Sequence, residues 1–181
     1  MSFRVCLCGA ESTGKSTLAP RLAAHFGGVV VREYGRTWAE AHGTEFRRQD
    51  LRTIADGQIA TRLGAQMDAP RLIVEDTDIV MTCAWSIMVF GSADPALAAI
   101  PATGDMYLLF TPETAWIDDG TRLFGGAARA QFHATIVAEL ARRAIVPVVI
   151  SGDWDARFAA AVAAVGTVLD ISGRRQRRLL S

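Results

Sequence analysis

One octapeptide near the amino terminus constrains this chain more than any other feature. Residues 9–16 read Gly-Ala-Glu-Ser-Thr-Gly-Lys-Ser, which fits the G-x-x-x-x-G-K-S/T pattern of phosphate-binding loops. Gly9 and Gly14 permit backbone turns that a Cβ atom would block, so amide N–H groups can converge on phosphate oxygens. Lys15 adds a cation beside the β- and γ-phosphates, and Ser16 offers a hydroxyl to Mg²⁺. The pattern therefore predicts a site for ATP and Mg²⁺.

The residues on either side of this loop support that prediction over a glycine-rich turn without a ligand. Residues 3–8, Phe-Arg-Val-Cys-Leu-Cys, have the pattern of a buried strand, and Leu18, Leu22 and Phe26 follow the loop at helical spacing. A strand, a loop and a helix in that order are the setting in which the pattern binds phosphate. We predict that the loop contacts the nucleotide through Gly9, Glu11, Ser12, Thr13, Gly14, Lys15, Ser16 and Thr17.

Composition excludes several other classes of protein. The 181 residues are 50% hydrophobic and carry no net charge. The chain therefore lacks the excess of basic residues that would indicate a nucleic-acid partner. No apolar run approaches the ~18 residues of a membrane span. The first apolar stretch runs directly into the phosphate loop, unlike a signal peptide, so we expect a cytoplasmic protein. A small-molecule partner is expected, and the sequence is compatible with an oligomer.

Cysteine and histidine residues give no clear ligand pattern. Cys6 and Cys8 share one face of a predicted strand, where core packing is favoured over a metal or redox role. With Cys83 they make an odd number, which is not a disulfide framework. The three histidines are scattered along the chain and are interpreted as structural or surface residues.

Apolar runs alternate with helical patterns along the chain, which is typical of a parallel sheet with crossover helices. We predict strands at residues 3–8, 29–32, 72–75, 106–110 and 146–150. The fold class is α/β, a three-layer P-loop NTPase fold with a parallel five-stranded sheet, helices on both faces and a lid loop. Residues 1–170 are predicted to form this domain. Residues 171–181 are predicted to be a basic tail, either a solvated end or a contact for RNA, a membrane or an acidic partner.

Polar residues follow the predicted strands, where open parallel sheets collect their ligands. Glu33 follows the second strand and is placed to act as a base toward an acceptor hydroxyl. The alternative is a surface residue paired with Arg32 or Arg36. Asp76 follows the third strand, as does the acidic residue that helps to hold Mg²⁺ in phosphate-loop proteins. The remaining candidates after these strands are Tyr34, Asp78, which is also a candidate helix cap, and Asp153 after the fifth strand.

The polar segment 111–127 is predicted to be the lid. Gly120, Gly125 and Gly126 supply flexibility, and Arg122 and Arg129 supply cations for the transferring phosphoryl group. The alternative is that these arginines are solvated. Trp116 is placed either to stack on a flat substrate ring or to anchor the loop to the core.

With these residues assembled, the chain resembles the ribosylnicotinamide kinase domain of the multifunctional NAD-biosynthesis regulators of bacteria. Besides the phosphate loop and the residues that follow it, the resemblance rests on four short stretches between Phe3 and Val165. They are Arg32-Glu33-Tyr34-Gly35-Arg36, Asp76-Thr77-Asp78, Trp116-Ile117-Asp118-Asp119-Gly120-Thr121-Arg122 and Asp155-Ala156-Arg157-Phe158.

The resemblance implies ATP-dependent phosphorylation of the 5′-hydroxyl of nicotinamide riboside. It implies that Lys15 and Ser16 bind ATP and Mg²⁺, and that Arg122 serves the phosphates. Trp85 and Met88, on the helix after Asp78, match the family loosely. The riboside or metal would be contacted by Glu33, Asp76 and Asp78, and the substrate also by Trp116 and Asp119.

Combining the strand-exit residues with the resemblance, we predict Lys15, Glu33, Asp76 and Arg122 as catalytic residues and Ser16 and Asp76 as metal ligands. Either Glu33 or Asp76 would be the base. The predicted substrate contacts are Glu33, Tyr34, Arg36, Asp76, Asp78, Trp116 and Asp119, and Arg129 and Asp153 are added to the nucleotide contacts. The rival functions are a kinase for another nucleoside or small alcohol, and a non-catalytic ATP-binding module that acts as a switch.

Overall fold

A single parallel sheet of five strands organises the molecule. The computed structural model describes residues 2–179 and the side chains of residues 2–170. The strands are β1 (Phe3–Gly9), β2 (Val29–Val31), β3 (Leu72–Asp76), β4 (Met106–Phe110) and β5 (Val148–Ile150). They pair in the order β2-β3-β1-β4-β5, with every neighbouring pair parallel. The predicted parallel α/β sheet is confirmed.

Seven helices surround this sheet in the described part of the chain. They are α1 (Lys15–Phe26), α2 (Tyr34–His42), α3 (Arg48–Met67), α4 (Ile79–Phe90), α5 (Pro95–Ala99), α6 (Gly126–Arg142) and α7 (Trp154–Leu179). None of the helices in the described residues has the length and apolar character needed to cross a bilayer.

The central strand shows how the two faces of the sheet are covered. Val5 and Leu7 point into an apolar cluster with α1 and α7, whereas Cys6 and Cys8 point into a second cluster with α4 and α6. Successive strand residues alternate between faces, and burial on both sides explains the continuous apolar run. All three cysteines are buried and free, so the core-packing prediction for Cys6 and Cys8 is confirmed.

Two helices were not predicted separately. Helix α2 begins directly after Glu33, and α5 is a five-residue helix capped by Asp94 with Pro95 in its first turn. The fifth strand begins two residues later than predicted, because Pro147 has no backbone N–H to donate and Val146 is 93% exposed. Helix α7 continues through residue 170, and the predicted contacts of the basic tail involve side chains outside the described residues.

The sheet register brings three loops together at one edge. Leu7 pairs with Asp76, and Gly9 pairs with Phe110. The phosphate loop after β1 therefore lies between the acidic residues after β3 and the lid after β4. This is the edge at which a parallel sheet binds its ligands.

Candidate active site

The phosphate loop is held in a shape that only glycine permits at two positions. Gly9 has φ +143°, and a Cβ atom there would lie 2.6 Å from the carbonyl oxygen of Phe110. Gly14 has φ +87°, and a Cβ atom there would lie 2.4 Å from a ring carbon of Trp154. Ser12 also adopts a positive φ of 60°. The loop thus combines left-handed backbone with close packing, as the motif requires.

Lys15 is buried at the start of α1 and points back into the loop. Its Nζ donates to the carbonyl oxygens of Gly9 at 2.8 Å and Ala10 at 3.0 Å. Burial lowers the pKa of the ammonium, while the charges of Asp76 and Glu33 raise it again. A cation with negative neighbours is therefore in place where the motif predicts phosphate to bind.

Glu33 is the acidic group at the centre of the site. Its half-buried side chain lies where β2 leads into α2 and faces the same cavity as the phosphate loop. Burial, and next the charge of Asp76, raise its pKa to about 7, although Lys15 and Arg36 oppose the shift. A carboxylate with a pKa near neutrality is suited to accept a proton from a hydroxyl group.

Asp76 lies at the end of β3, only 4% exposed, close enough to Lys15 and Glu33 for its charge to act on both. Its Oδ1 has no hydrogen-bond partner among the described residues. Ser16 is exposed at the first turn of α1. An unpartnered carboxylate oxygen and a hydroxyl near the phosphate loop fit Mg²⁺, which takes few protein ligands and completes its shell with phosphates and water. No cluster of three or more His, Cys, Asp or Glu side chains that could hold a metal ion occurs in the described residues.

One cavity of about 130 Å³ connects the phosphate loop to an apolar chamber. Arg36, Thr121 and Arg122 line it beside the loop. The far wall is apolar and aromatic, with Trp85 packed against Phe46, Phe124 and Phe132 at ring-centroid distances of 4.7–5.7 Å. The other side chains of the chamber are Ala39, Leu51, Ile54, Gln58, Thr77, Met81 and Thr82.

Glu11 ties the lid to the phosphate loop. We use the term lid segment for residues 111–125, which connect β4 to α6. The Glu11 carboxylate accepts hydrogen bonds from the backbone N–H groups of Leu123 and Phe124, both at 3.0 Å, and from Trp116 Nε1 at 3.2 Å. The Trp116 ring also packs on Gly125. Trp116 thus links the lid segment to the phosphate loop, and its predicted contact with the substrate remains a prediction.

Two buried arginines donate hydrogen bonds to backbone carbonyls of the phosphate loop and of the segments beside it. Arg129 Nε donates to the Glu11 carbonyl at 2.9 Å, and its other nitrogens donate to Thr114. Arg157, 1% exposed, donates to the carbonyls of Gly152, Thr13 and Thr111. The predicted contact of Arg129 with the nucleotide remains a prediction, since in this arrangement its guanidinium is engaged with the lid segment.

A cluster of charges closes the cavity on the side of the lid segment. Asp119 Oδ2 lies 2.8 Å from Arg36 and 3.2 Å from Arg122. Partial burial acts to raise the pKa of Asp119, but hydrogen bonds from Arg36 and Thr121 lower it to about 2. Arg122 also donates to the Ile117 carbonyl. Asp119 thus links α2 to the lid segment and holds both cations beside the cavity.

Asp76, Trp116, Asp119 and Arg129 lie beside the lining of this cavity rather than in it. The remaining predicted residues, Tyr34, Asp78 and Asp153, also lie outside the lining. Asp78 caps α4 by accepting from Val80 N–H, and its second oxygen accepts from the Tyr107 hydroxyl. The Tyr34 ring packs against Gly57 of α3. Asp153 accepts from Ala156 N–H at the start of α7. Their predicted contacts with substrate or nucleotide remain predictions.

The aromatic chamber was missed by sequence reasoning, and so was the role of Gln58. Gln58 accepts from Tyr34 N–H and donates to the Thr77 carbonyl, which joins α3 to the strand exits. Met81 and Trp85 lie four residues apart on α4, a spacing that places them on one face of a helix. That spacing was the available signal, but it is equally typical of ordinary core residues.

Comparison with known proteins agrees with this geometry. The family model described as an AAA domain matches residues 4–157, most of the chain. The chain belongs to the AAA domain family. This AAA domain is also similar to the trifunctional NAD biosynthesis/regulator protein NadR of Escherichia coli, with 33% identity over 162 residues, and to that of Salmonella typhimurium, with 29% over 177 residues. The predicted resemblance to the kinase domain of these regulators is confirmed.

The chain spans 40% and 43% of the length of these two relatives, while 85% and 93% of the chain is covered. Among solved structures, a NadR protein in complex with NR matches 91% of this AAA domain and 50% of its own chain, with 27% identity and a TM-score of 0.78. Thymidylate kinase from Ehrlichia chaffeensis matches 92% of the domain and 98% of its own chain, with 13% identity and a TM-score of 0.59. The second match shows the fold alone, a phosphate-loop, kinase-like fold.

Proposed function

We propose that this AAA domain is an ATP-dependent kinase that phosphorylates the 5′-hydroxyl of nicotinamide riboside. The observation that carries the proposal is the continuous cavity that runs from the phosphate loop, past Glu33, into the aromatic chamber. A kinase must enclose its acceptor beside the γ-phosphate to exclude water. A nucleotide-dependent switch needs no such chamber, so the cavity favours catalysis over the non-catalytic alternative.

The chamber has the chemistry of a site for a flat ring. Trp85, Phe46 and Phe132 offer aromatic surface, and aromatic faces attract cationic rings such as the pyridinium of nicotinamide riboside. A solved NadR structure is described as a complex with NR, and we take its ligand as a guide to the acceptor here. The polar groups between the chamber and the phosphate loop would then meet the ribose.

Each of the polar residues at the phosphate end would have a separate role in the reaction. Lys15 would bind the β- and γ-phosphates, and Arg122 would stabilise the charge that spreads over the transferring group. Glu33, with its raised pKa, would accept the proton of the 5′-hydroxyl, which leaves Asp76 and Ser16 to hold Mg²⁺. The metal supplies neutralisation of phosphate charge when it is bound.

A panel of acceptors tests the proposal. The purified chain is incubated with labelled ATP, Mg²⁺ and nicotinamide riboside, uridine or shikimate, and transfer to the acceptor is measured. We expect kcat/KM for nicotinamide riboside to exceed that of the other acceptors. If uridine or shikimate serves equally well, the specific acceptor is wrong. If ATP binds and no acceptor is phosphorylated, the non-catalytic module is supported instead.

A further inference from the structure

Trp154, the first residue of α7, is exposed beside the phosphate loop. Its exposed fraction is 55%, whereas the other tryptophans, Trp38, Trp85 and Trp116, are each partly buried. A tryptophan ring is large and apolar, so proteins usually bury most of it. None of the roles proposed above uses this side chain.

The Trp154 ring packs directly on Gly14 of the phosphate loop. A Cβ atom built on Gly14 would lie 2.4, 3.2 and 3.4 Å from three carbons of the six-membered ring. Arg157, one turn later on α7, donates to the Thr13 carbonyl and so ties the start of this helix to the same loop. The ring is thereby held next to the predicted phosphate site, while much of its surface stays open to solvent.

The order of the strands separates the two sides of the phosphate loop. Strand β1, which leads into the loop, lies between β3 and β4. Glu33 and Asp76 come from the β2 and β3 side. On the other side Phe110 of β4 pairs with Ile150 of β5, so the segments that follow these two strands emerge together. Trp154 belongs to the segment after β5.

The proposed reaction determines the direction in which the rest of the nucleotide must run. In phosphoryl transfer the attacking and leaving oxygens lie roughly in line, on opposite sides of the transferred phosphorus. Glu33 would take the proton of the attacking hydroxyl from the β2 and β3 side. The leaving ADP therefore lies toward β4 and β5, which is the side that presents the Trp154 ring.

We propose that Trp154 is the stacking surface for the purine base of the nucleotide, an inference that rests on the proposed kinase function. The base lies on the open part of the ring, and the triphosphate extends from there to the phosphate loop. Stacking does not need a hydrogen bond to the base, because every base has a π-face. The ring therefore contributes to the affinity for adenine and guanine nucleotides alike.

The test compares a nucleotide with a ligand that has phosphates and no base. Binding of AMP-PNP and of inorganic tripolyphosphate to the full chain is measured by calorimetry with Mg²⁺. In Trp154→Ala the affinity for AMP-PNP should fall about tenfold, with tripolyphosphate unchanged, and Trp154→Phe should recover most of the loss. Equal weakening of both ligands would mean that the ring only shapes the loop, and no weakening of either would mean that the base lies elsewhere. Either result overturns the proposal.

These measurements involve no acceptor, so they separate this proposal from the proposed function. If AMP-PNP binds as expected and no acceptor is phosphorylated, only the kinase assignment fails. If the unaltered chain does not bind AMP-PNP, the nucleotide site is wrong and both proposals fail.

Fluorescence gives a second readout with a matched control. Trp38→Phe removes an indole on α2, outside the lining of the cavity, and should change neither affinity. A stacked base quenches indole emission, so AMP-PNP should quench the unaltered chain and Trp38→Phe more than tripolyphosphate does. This difference should be largely lost in Trp154→Phe, and its persistence there would contradict the proposal. The comparison keeps an aromatic ring at position 154, so it decides the matter even if Trp154→Ala does not fold.

Discussion

The two ends of the active-site cavity are held in place by different interactions. At the phosphate end, Glu11 accepts hydrogen bonds from backbone N–H groups of the lid segment, and Arg129 and Arg157 donate to backbone carbonyls of the phosphate loop. At the acceptor end, the chamber is formed by packed rings around Trp85. A backbone frame tolerates little change, whereas a packed wall can exchange one apolar side chain for another. The comparison implies that the fold determines the site of the phosphate donor. The identity of the phosphate acceptor would depend on side chains of the chamber that can be exchanged.

The largest effect is expected at the phosphate end. Lys15→Ala removes the cation from the loop, and kcat/KM should fall about 10³-fold, since charged groups act strongly in a desolvated site. Steady-state kinetics with ATP and the best acceptor measure it. Arg71→Ala, which removes an exposed arginine at the opposite end of β3, should have near-normal rates. Near-normal turnover by Lys15→Ala would refute the assignment of the phosphate end.

The next largest effect is expected at Glu33, where the two ends of the cavity meet. Glu33→Gln should lower kcat by about 10²- to 10³-fold and leave ATP affinity intact, because a general base acts only in the chemical step. In the unaltered chain, kcat/KM should rise with pH up to about 7 and then level, since the Glu33 carboxyl must lose its proton to act. Glu40→Gln, an exposed change on α2, serves as the control. Unchanged kcat in Glu33→Gln would transfer the role to Asp76.

A change confined to the acceptor end should affect the KM of the acceptor and leave the KM of ATP unchanged. Phe46→Ala removes one ring from the chamber wall, and the acceptor KM should rise about tenfold while the KM for ATP stays the same. Phe90→Ala, a partly buried ring outside the cavity, is the control. If Phe46→Ala raises both KM values equally, the two ends are not independent and the comparison fails.

The smallest effect is expected at the charges that join the lid segment to α2. Asp119→Asn removes one partner of Arg36 and Arg122, and kcat/KM should fall about threefold, because the groups are partly exposed and water screens them. Added salt should reduce the difference between variant and parent. Asp118→Asn, one residue earlier in the same segment, should behave like the parent. A loss of 100-fold in Asp119→Asn would show direct contact with substrate.

These two ends also differ in how far the sequence predicts them. The residues of the phosphate loop are consecutive in the sequence, so a single short motif locates all of them. Glu33 and Asp76 were also identified, because each follows a recognisable buried strand. The parallel sheet followed from the alternation of apolar runs and helical patterns, whereas the order of the strands within it, β2-β3-β1-β4-β5, was not predicted.

The acceptor chamber had no such pattern. Phe46, Trp85 and Phe132 come from three separate parts of the chain, and each resembles an ordinary core residue until the fold brings it to the cavity. The lid arginines show a second limit. Both Arg122 and Arg129 were predicted to supply cations to the phosphates, yet Arg122 lines the cavity whereas Arg129 is buried against backbone carbonyls. Arg129 is in the first turn of α6, on the side that faces the core. The local sequence did not show which side of that turn would be buried.

The Glu11 carboxylate has a consequence for the order of events at this site. It belongs to the phosphate loop but carries three donors of the lid segment, so the lid segment cannot swing outward without stripping all three at once. Opening of that segment would therefore leave the Glu11 carboxylate without the three donors that it has in this arrangement. Release of a bound nucleotide past the lid segment would require these hydrogen bonds to break together with those of Arg129 to Thr114 and of Arg36 to Asp119.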